Sequence, residues 1–414
     1  MSVSPPLGLI AALDIGTAKT SCIVARADAH GRLRVHGHAA RASKGVRNGA
    51  IIDIDAAGLC AGRVVEAAEA MARESVDRVI VNLSSNGIAS KQKQTAIPLG
   101  SAAIGTAELN QVIRQSRDIA PAAGRARLHF LPLGYGVDGN RGIPDPRGLF
   151  GQTLALDAVS VTCHESAVRT LRTAIARAHL EAQSIVASAY AAGLAVLHPD
   201  ERELGITVID MGAGSTNVAV FFENELVFCD SLPVGAGHIT QDIAQGLSTP
   251  LAEAERLKTL HGSCLAAAGD ERDLLDIQPL GDEGDVGILQ APRALLVRII
   301  QARIEEILEL VQQRIARSDA ARFAGGAVVL TGGGSQLHGI RELAGQVLDK
   351  RVRIGRPSGI AGLADMADDP AFAGVVGLIQ FIQRPRSGPL AAGAGHGEKT
   401  GMLDRVTGWL RGLR

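Results

Sequence analysis

The sequence predicts an α/β fold built from two related halves, and three observations predict it. The stretch "LIAALDIGTAKTSCIVAR" (Leu9 to Arg26) is an apolar run that ends on Asp14 and a Gly-Thr pair, then turns apolar again. "GITVIDMGAGSTNVAVFF" (Gly205 to Phe222) repeats that layout about half the chain further on, with Asp210, Gly212, Ser215 and Thr216 at the turn. Each of these strand–hairpin–strand units continues into helical stretches. One such hairpin reads as a plain turn, whereas two at half-molecule spacing suggest a clasp. Glycines allow close backbone approach and successive N–H groups form an anion nest, so paired hairpins can hold a polyphosphate from both sides. The aspartates would then hold the hydrated Mg²⁺ that accompanies a triphosphate, since Mg²⁺ prefers carboxylates plus retained waters.

The remaining elements follow in order. Ala56 to Val76 is helical by its Ala/Glu content and apolar spacing, and "RVIVNLS" after it is a strand. From about Gly87 to Val161 the pattern changes to strand-like pieces around one helical stretch, "TAELNQVIRQSRDIA". Pro/Gly-rich turns between Gly139 and Gly151 mark this as an inserted α+β unit. His164 to Leu180 is an amphipathic helix. The segment "TQDIAQGLSTPLAEAERLKTLHG" gives two helices broken at Thr249-Pro250, and Ala291 to Asp319 is the longest helix. "GGAVVLTGGGSQLHGIRELAGQVL" is strand, glycine loop, helix, and such a loop can bring backbone against a ligand. Pro385 to Lys399 reads as a flexible linker, after which "GMLDRVTGWLRGLR" regains periodicity.

Composition narrows the function. The chain has 414 residues, 46% hydrophobic and 21% charged, with net charge −1. That is a globular composition with ample core and room for two or more domains. Near-zero net charge argues against a general nucleic-acid binder. Cys22, Cys60, Cys163, Cys229 and Cys264 are scattered with no zinc spacing and read as small core residues in a reducing compartment. The first residues lack the basic region of a signal peptide, and no stretch reaches the 18 or so apolar residues of a spanning helix. The expected location is the cytoplasm, unless the far end of the chain ties it to a membrane.

The two Asp-x-Gly hairpins and the third glycine loop, "LTGGGSQL", together form the signature of the actin-like ATPase superfamily. Within it, "DIGTAKT", "HFLPLGYGVD", "DPRGLFG", "VTCH", "DIAQGLSTPLAEAERLKTLHG" and "KRVRIGRPSGIAGLADMADDP" resemble the FtsA family of bacterial cell-division proteins, from Ile10 to Arg384. The resemblance implies duplicated actin-like (ribonuclease-H-like) domains around a nucleotide cleft. Domain I would span 1–86 and 163–200, with an FtsA-type subdomain inserted at 87–162. Domain II would span 201–384, including a partner-binding part at about 228–318, while about 360–384 returns to domain I. A linker at 385–400 and an amphipathic helix at 401–414 complete the chain.

The same resemblance implies ATP and Mg²⁺ as ligands. Gly16, Thr17 and Lys19 would lie along the first phosphate hairpin, and Gly212, Gly214, Ser215 and Thr216 along the second. Asp14 and Asp210 would face the metal through water. Glu255 and Lys258 would meet ribose and base, and Gly332, Gly333 and Ser335 would form the adenosine loop. Read locally, without the resemblance, Glu255 and Lys258 are better taken as a solvated helix pair worth a few tenths of a kcal/mol. The implied partners are the acidic-and-apolar tail of the tubulin-like protein FtsZ, received near Pro292–Arg293, a second copy of the chain in a filament, and later division proteins. Its implied place is the cytoplasmic face of the inner membrane at the division site.

One departure bears on catalysis. Actin relatives that hydrolyse ATP well usually carry Glu or Gln at the start of the small-residue helix between the halves. Here that region reads "VASAYAAGL", with Ser188 at the position. Serine is a poor group for orienting water beside a γ-phosphate, so binding is expected and at most weak turnover. The alternative is a small-molecule kinase of the same superfamily, but it needs a general-base aspartate and no motif offers a spare one, and it does not explain the inserted unit. A chaperone ATPase is set aside because no β-rich peptide domain is read after the nucleotide fold. A P-loop is excluded because "GTAKT" lacks the required upstream glycine. In the last segment Met402, Leu403, Val406, Trp409, Leu410 and Leu413 fall within an arc of about 120° on a helical wheel. With Arg405 and Arg411 flanking that arc, the helix suits an anionic membrane surface.

Overall fold

The computed structural model describes residues 8–28, 32–85, 87–280, 289–363, 366 and 369–383. Two compact units are present. One runs through Met1–Gln92, Pro121–Leu131 and Val159–Arg384, the other through Lys93–Ala120 and Pro132–Ala158. The linker and the amphipathic segment with Met402, Trp409 and Leu413 lie outside the described residues.

The first unit opens with β1 (Leu9–Ile15), β2 (Lys19–Ala27), β3 (Leu33–Ala42), the short pair β4 (Val46–Arg47) and β5 (Ala50–Ile51), α1 (Ile54–Ala72) and β6 (Arg78–Leu83). Next come β7 (Ala89–Pro98), α2 (Thr106–Asp118), β8 (Arg125–Val137), β9 (Asn140–Ile143) and β10 (Thr153–His164). The chain continues through α3 (Glu165–Arg177), β11 (Glu181–Ala187) and α4 (Ser188–Val196). The second half holds α5 (Pro199–Leu204), β12 (Ile206–Met211), β13 (Thr216–Phe222), β14 (Glu225–Leu232), α6 (Ala236–Gly246) and α7 (Leu251–His261). It ends with β15 (Leu274–Ile277), β16 (Leu289–Pro292), α8 (Arg293–Ala316), β17 (Ala327–Thr331), α9 (Ile340–Leu348), β18 (Arg351–Ile354) and α10 (Ala373–Gln383).

Two runs of five strands share one topology. The first is ordered β11-β6-β1-β2-β3 and the second β18-β17-β12-β13-β14. In both, the central strand is antiparallel to the next strand of its hairpin and parallel to the strand on its other side. The repeat read in two hairpins therefore extends to whole sheets. It also supplies a third strand per half, β3 and β14, which the sequence pattern did not single out.

These sheets are covered by two helices that are apolar because they are buried. Every residue of α4, "SAYAAGLAV", is buried, as expected of a helix apolar all round. It packs on β12, β13 and β14, while α10 packs on β1, β2 and β6. The two helices meet at glycine: a Cβ on Gly377 would stand 1.7 Å from the Ala191 carbonyl oxygen. In the second unit the strand order is β7-β10-β8-β9, and α2 buries Leu109, Val112 and Ile113 at helical spacing. Its first turn is closed by Glu108, which accepts the Gly105 N–H at 2.9 Å.

His129 on β8 is a buried polar group with a defined task. Its Nε2 accepts the N–H of Ala187 at 3.0 Å, and its ring meets Tyr190 edge-on with centroids 5.2 Å apart. Burial pushes its pKa down to about 4. An unfolded chain would take up a proton near pH 6.5, so folding stability drains away as pH falls from there toward 4. Glutamine keeps a neutral acceptor without that proton. The wild-type melting temperature is therefore expected to fall more steeply than that of His129→Gln between about pH 7 and pH 5. Parallel curves in circular-dichroism melts would count against this role for His129.

Candidate functional site

The site begins with strand ends. Asp14 is the second-last residue of β1 and Asp210 the second-last of β12, so the matching topologies bring the two carboxylates to the same cavity, of about 1110 Å³. Gly16 closes the first hairpin, its N–H donating to the Lys19 carbonyl at 3.0 Å, and Gly212 closes the second by donating to the Ser215 carbonyl at 2.9 Å. The hairpin tips touch: a Cβ on Gly214 would lie 2.3 Å from Thr17 Oγ1. Gly332, in the left-handed region at φ 80°, brings the third loop against Asp210, where a Cβ would stand 2.5 Å from Oδ1.

Glu255 and Lys258 line the cavity from α7 as a locked pair. Lys258 Nζ donates to Glu255 Oε2 at 2.7 Å and to Thr240 Oγ1 at 2.8 Å, and that hydroxyl donates to the same carboxylate at 2.5 Å. Burial works against the Glu255 charge, yet the Lys258 and Thr240 bonds hold its pKa below the usual value. Lys19 donates from Nζ to the Ala371 carbonyl at 3.1 Å, and the ammonium sits 3.3 Å from the centroid of the Phe372 ring. Burial lowers its pKa, opposed by Asp14 and Asp369.

The carboxylates are the electrostatic centre. Burial, and then Asp210, push the Asp14 pKa up to about 7, against the opposing pull of Lys19 and an Asn82 bond. Burial likewise raises Asp210 to about 6, with the Asn217 amide opposing. Two carboxylates at one cavity, both raised by burial and Asp14 raised further by Asp210, make a place where a divalent cation is welcome. Among the described residues no group of three or more His, Cys, Asp or Glu converges. Two carboxylates with room for water fit Mg²⁺ that keeps part of its hydration shell. Asp14 and Asp210 would hold it through water, and the ion would supply charge neutralisation beside phosphate oxygens.

Of the sequence-predicted residues, Asp14, Gly16, Thr17, Lys19, Asp210, Gly212, Gly214, Ser215, Glu255, Lys258, Gly332 and Gly333 all line this cavity. Thr216 and Ser335 do not. Thr216 is fully buried and donates to the Val234 carbonyl at 2.8 Å, and Ser335 donates to the Gly332 carbonyl at 2.7 Å, so both hold loops in shape. Arg293 does line the cavity, but its guanidinium is ion-paired with the buried Asp270 and donates to the His261 carbonyl at 2.9 Å. Ser188 Oγ lies 2.5 Å from Ser84 Oγ and accepts from Asn82 at 3.1 Å.

Two functional side chains escaped the sequence reading. Asn82 near the end of β6 donates to Asp14 Oδ1 at 2.5 Å, and its own Oδ1 accepts the Ile15 N–H at 2.8 Å. Asn217 sits opposite Asp210 across the β12–β13 ladder and donates to its Oδ2 at 3.1 Å. The signal for each was a polar residue inside an apolar run, "VIVNLS" and "STNVAV".

Comparison with known proteins agrees with this architecture. A family model described as cell division protein FtsA matches residues 207–377, and one described as the SHS2 domain inserted in FtsA matches residues 85–162. The chain is 41% identical over 397 residues to cell division protein FtsA of Rhizobium meliloti, covering 94% of this chain and 90% of that protein. It is 28% identical over 384 residues to FtsA of Escherichia coli, covering 90% of each. Among solved structures, the PilM–PilN type IV pilus biogenesis complex superposes with TM-score 0.62 at 16% identity, over 91% of this chain and 99% of that one. MreB5 of Spiroplasma citri bound to ADP gives TM-score 0.55 at 15% identity, over 92% and 97%. At such identities the likeness speaks to the fold alone, and that fold is the actin-like one.

Proposed function

The chain belongs to the FtsA family of cell division proteins, and from that premise we propose that it binds ATP with Mg²⁺, polymerises, and tethers the FtsZ ring to the cytoplasmic membrane. The observation that carries the nucleotide part is the pair of half-buried carboxylates at matching strand ends, flanked by glycine hairpins whose tips touch. MreB5, of like fold, was solved with ADP bound. Thr17, Lys19, Ser215 and the hairpin N–H groups are the candidates for the phosphates, and Glu255, Lys258, Gly332 and Gly333 for the nucleoside. Turnover is weak in this reading. Ser188 Oγ is engaged by Ser84 and Asn82, and a hydroxyl so held neither takes a proton from water nor aims it.

The FtsZ tail would dock on the part at about 228–318, where Leu251, Leu260, Leu274 and Leu289 are exposed. Because Arg293 is tied to Asp270, its part there is to fix the start of α8 beside that apolar surface. The membrane contact belongs to 401–414, on Met402, Leu403, Val406, Trp409, Leu410 and Leu413, with the linker giving reach. Such a helix lies in the interface and does not span, and polymerisation multiplies the anchors. No helix among the described residues is long and apolar enough to cross a membrane. Self-association and recruitment of later division proteins complete the reading.

Sedimentation with anionic liposomes in ATP and Mg²⁺ tests it. Full-length protein is expected to pellet, form filaments and release phosphate slowly, and a chain ending at residue 400 to stay in the supernatant. Pelleting of that shorter chain would remove the tail as anchor.

A further inference from the structure

Among the described residues four lysines and arginines line the cavity, and three are already committed. Lys19 is bound to Ala371 and Phe372, Lys258 to Glu255 and Thr240, and Arg293 to Asp270 and His261. The fourth, Arg47, is exposed, and its guanidinium has no hydrogen bond or ion pair with any described residue. An exposed arginine at the wall of a cavity, with its donors unspent, is poised for an anion.

Its position is fixed by backbone. Arg47 pairs with Ala50 across the β4–β5 hairpin, whose two-residue turn is Asn48-Gly49, at φ 49° and 76°. Asn-Gly suits such a tight turn because both residues take up positive φ readily. The turn lies against both phosphate hairpins at once. The Gly49 N–H donates to Thr17 Oγ1 at 2.9 Å, and a Cβ on Gly214 would come within 2.8 Å of Asn48 Cα. A Cβ on Gly49 would stand 3.2 Å from Ser215 Oγ. The turn thus closes off the seam between the hairpin tips, and Arg47 stands beside it.

We propose that Arg47 contacts the terminal phosphate of the bound nucleotide and makes the cleft prefer a triphosphate over a diphosphate. This rests on the nucleotide reading above and deepens it. A phosphate chain gripped between the two hairpins ends against the Asn48-Gly49 turn, where the planar guanidinium can take two oxygens of the last phosphate. A diphosphate stops one phosphate short and leaves that fork unused. The lip of the cleft, with its unspent cation, is then the part that tells one nucleotide from the other.

Isothermal titration of the full chain with Mg²⁺-ATP and Mg²⁺-ADP tests this, using wild type, Arg47→Gln and Arg47→Lys. Arg47→Gln is expected to weaken ATP about tenfold, the loss of one charge-assisted contact, and to leave ADP within about twofold. Arg47→Lys, which keeps charge but not the fork, should fall between. The side chain is exposed and the turn is held by backbone, so both variants retain the fold. Equal losses for both nucleotides, or no loss for either, would overturn the role of Arg47 while leaving the cleft as a nucleotide site. Wild type that binds neither nucleotide would overturn the cleft reading itself.

Discussion

Asp210→Ala is expected to weaken Mg²⁺-ATP binding by roughly a hundredfold, about 3 kcal/mol, the order for losing a carboxylate that holds a hydrated cation. Asp210 is set by the β12 ladder opposite Asn217 and lies hard against Gly332, so its carboxylate is held in place before any ligand arrives. Removing it also removes the partner that raises the Asp14 pKa, so Asp14 ionises more readily but faces any cation alone. The unliganded fold should not suffer, because a buried carboxylate with a raised pKa opposes folding at neutral pH. The expected pair of results is lost affinity in a fluorescence titration and a melting temperature at pH 8 no lower than wild type. Chelating Mg²⁺ should shrink the affinity gap between the two proteins. Retained affinity in Asp210→Ala would sink the two-carboxylate reading.

The second large effect is on the fold itself. Gly377→Val is expected to cost more than about 3 kcal/mol, beyond the usual range for overpacking, because the obstacle is backbone. A Cβ there would sit 1.7 Å from the Ala191 carbonyl oxygen, so α10 and α4 must separate to admit any side chain. The separation would reach the cleft from both sides. Helix α4 begins at Ser188, and α10 begins beside Gly374, where a Cβ would come 2.8 Å from Asp14 Oδ2. Urea denaturation should show a lower midpoint for Gly377→Val and a smaller loss for Gly377→Ala. An unchanged midpoint for both would mean that the helices do not meet as described.

What the sequence made legible was local. Both hairpins could be read because Asp14 and Asp210 interrupt apolar runs and glycine follows within two residues, a pattern carried by neighbours in the chain. The groups that complete the site come from far along the chain. Asn82 reaches Asp14 from a parallel strand, and the Asn48-Gly49 turn reaches Thr17 and Gly214 from its own small hairpin. No periodicity encodes such meetings. Thr216 and Ser335 show the converse difficulty, since a small hydroxyl in a glycine loop can face a ligand or hold the loop. The Arg293–Asp270 ion pair is of the same kind as the Asn82–Asp14 meeting, since Asp270 lies 23 residues earlier on a loop whose path no local pattern encodes.

The placement of α10 has a consequence for biosynthesis. The strands of the first half, through β11, leave the ribosome early, but the helix that covers β1, β2 and β6 is encoded about 190 residues after them. At about 5–20 residues per second, that apolar face waits roughly 10–40 s for its own lid. A nascent chain in that interval offers a sheet whose strands include "LIAALDI" and "RVIVNL" to any hydrophobic surface nearby. A ribosome-associated chaperone is the natural occupant of that face, and a stop codon before residue 373 would leave it there for good.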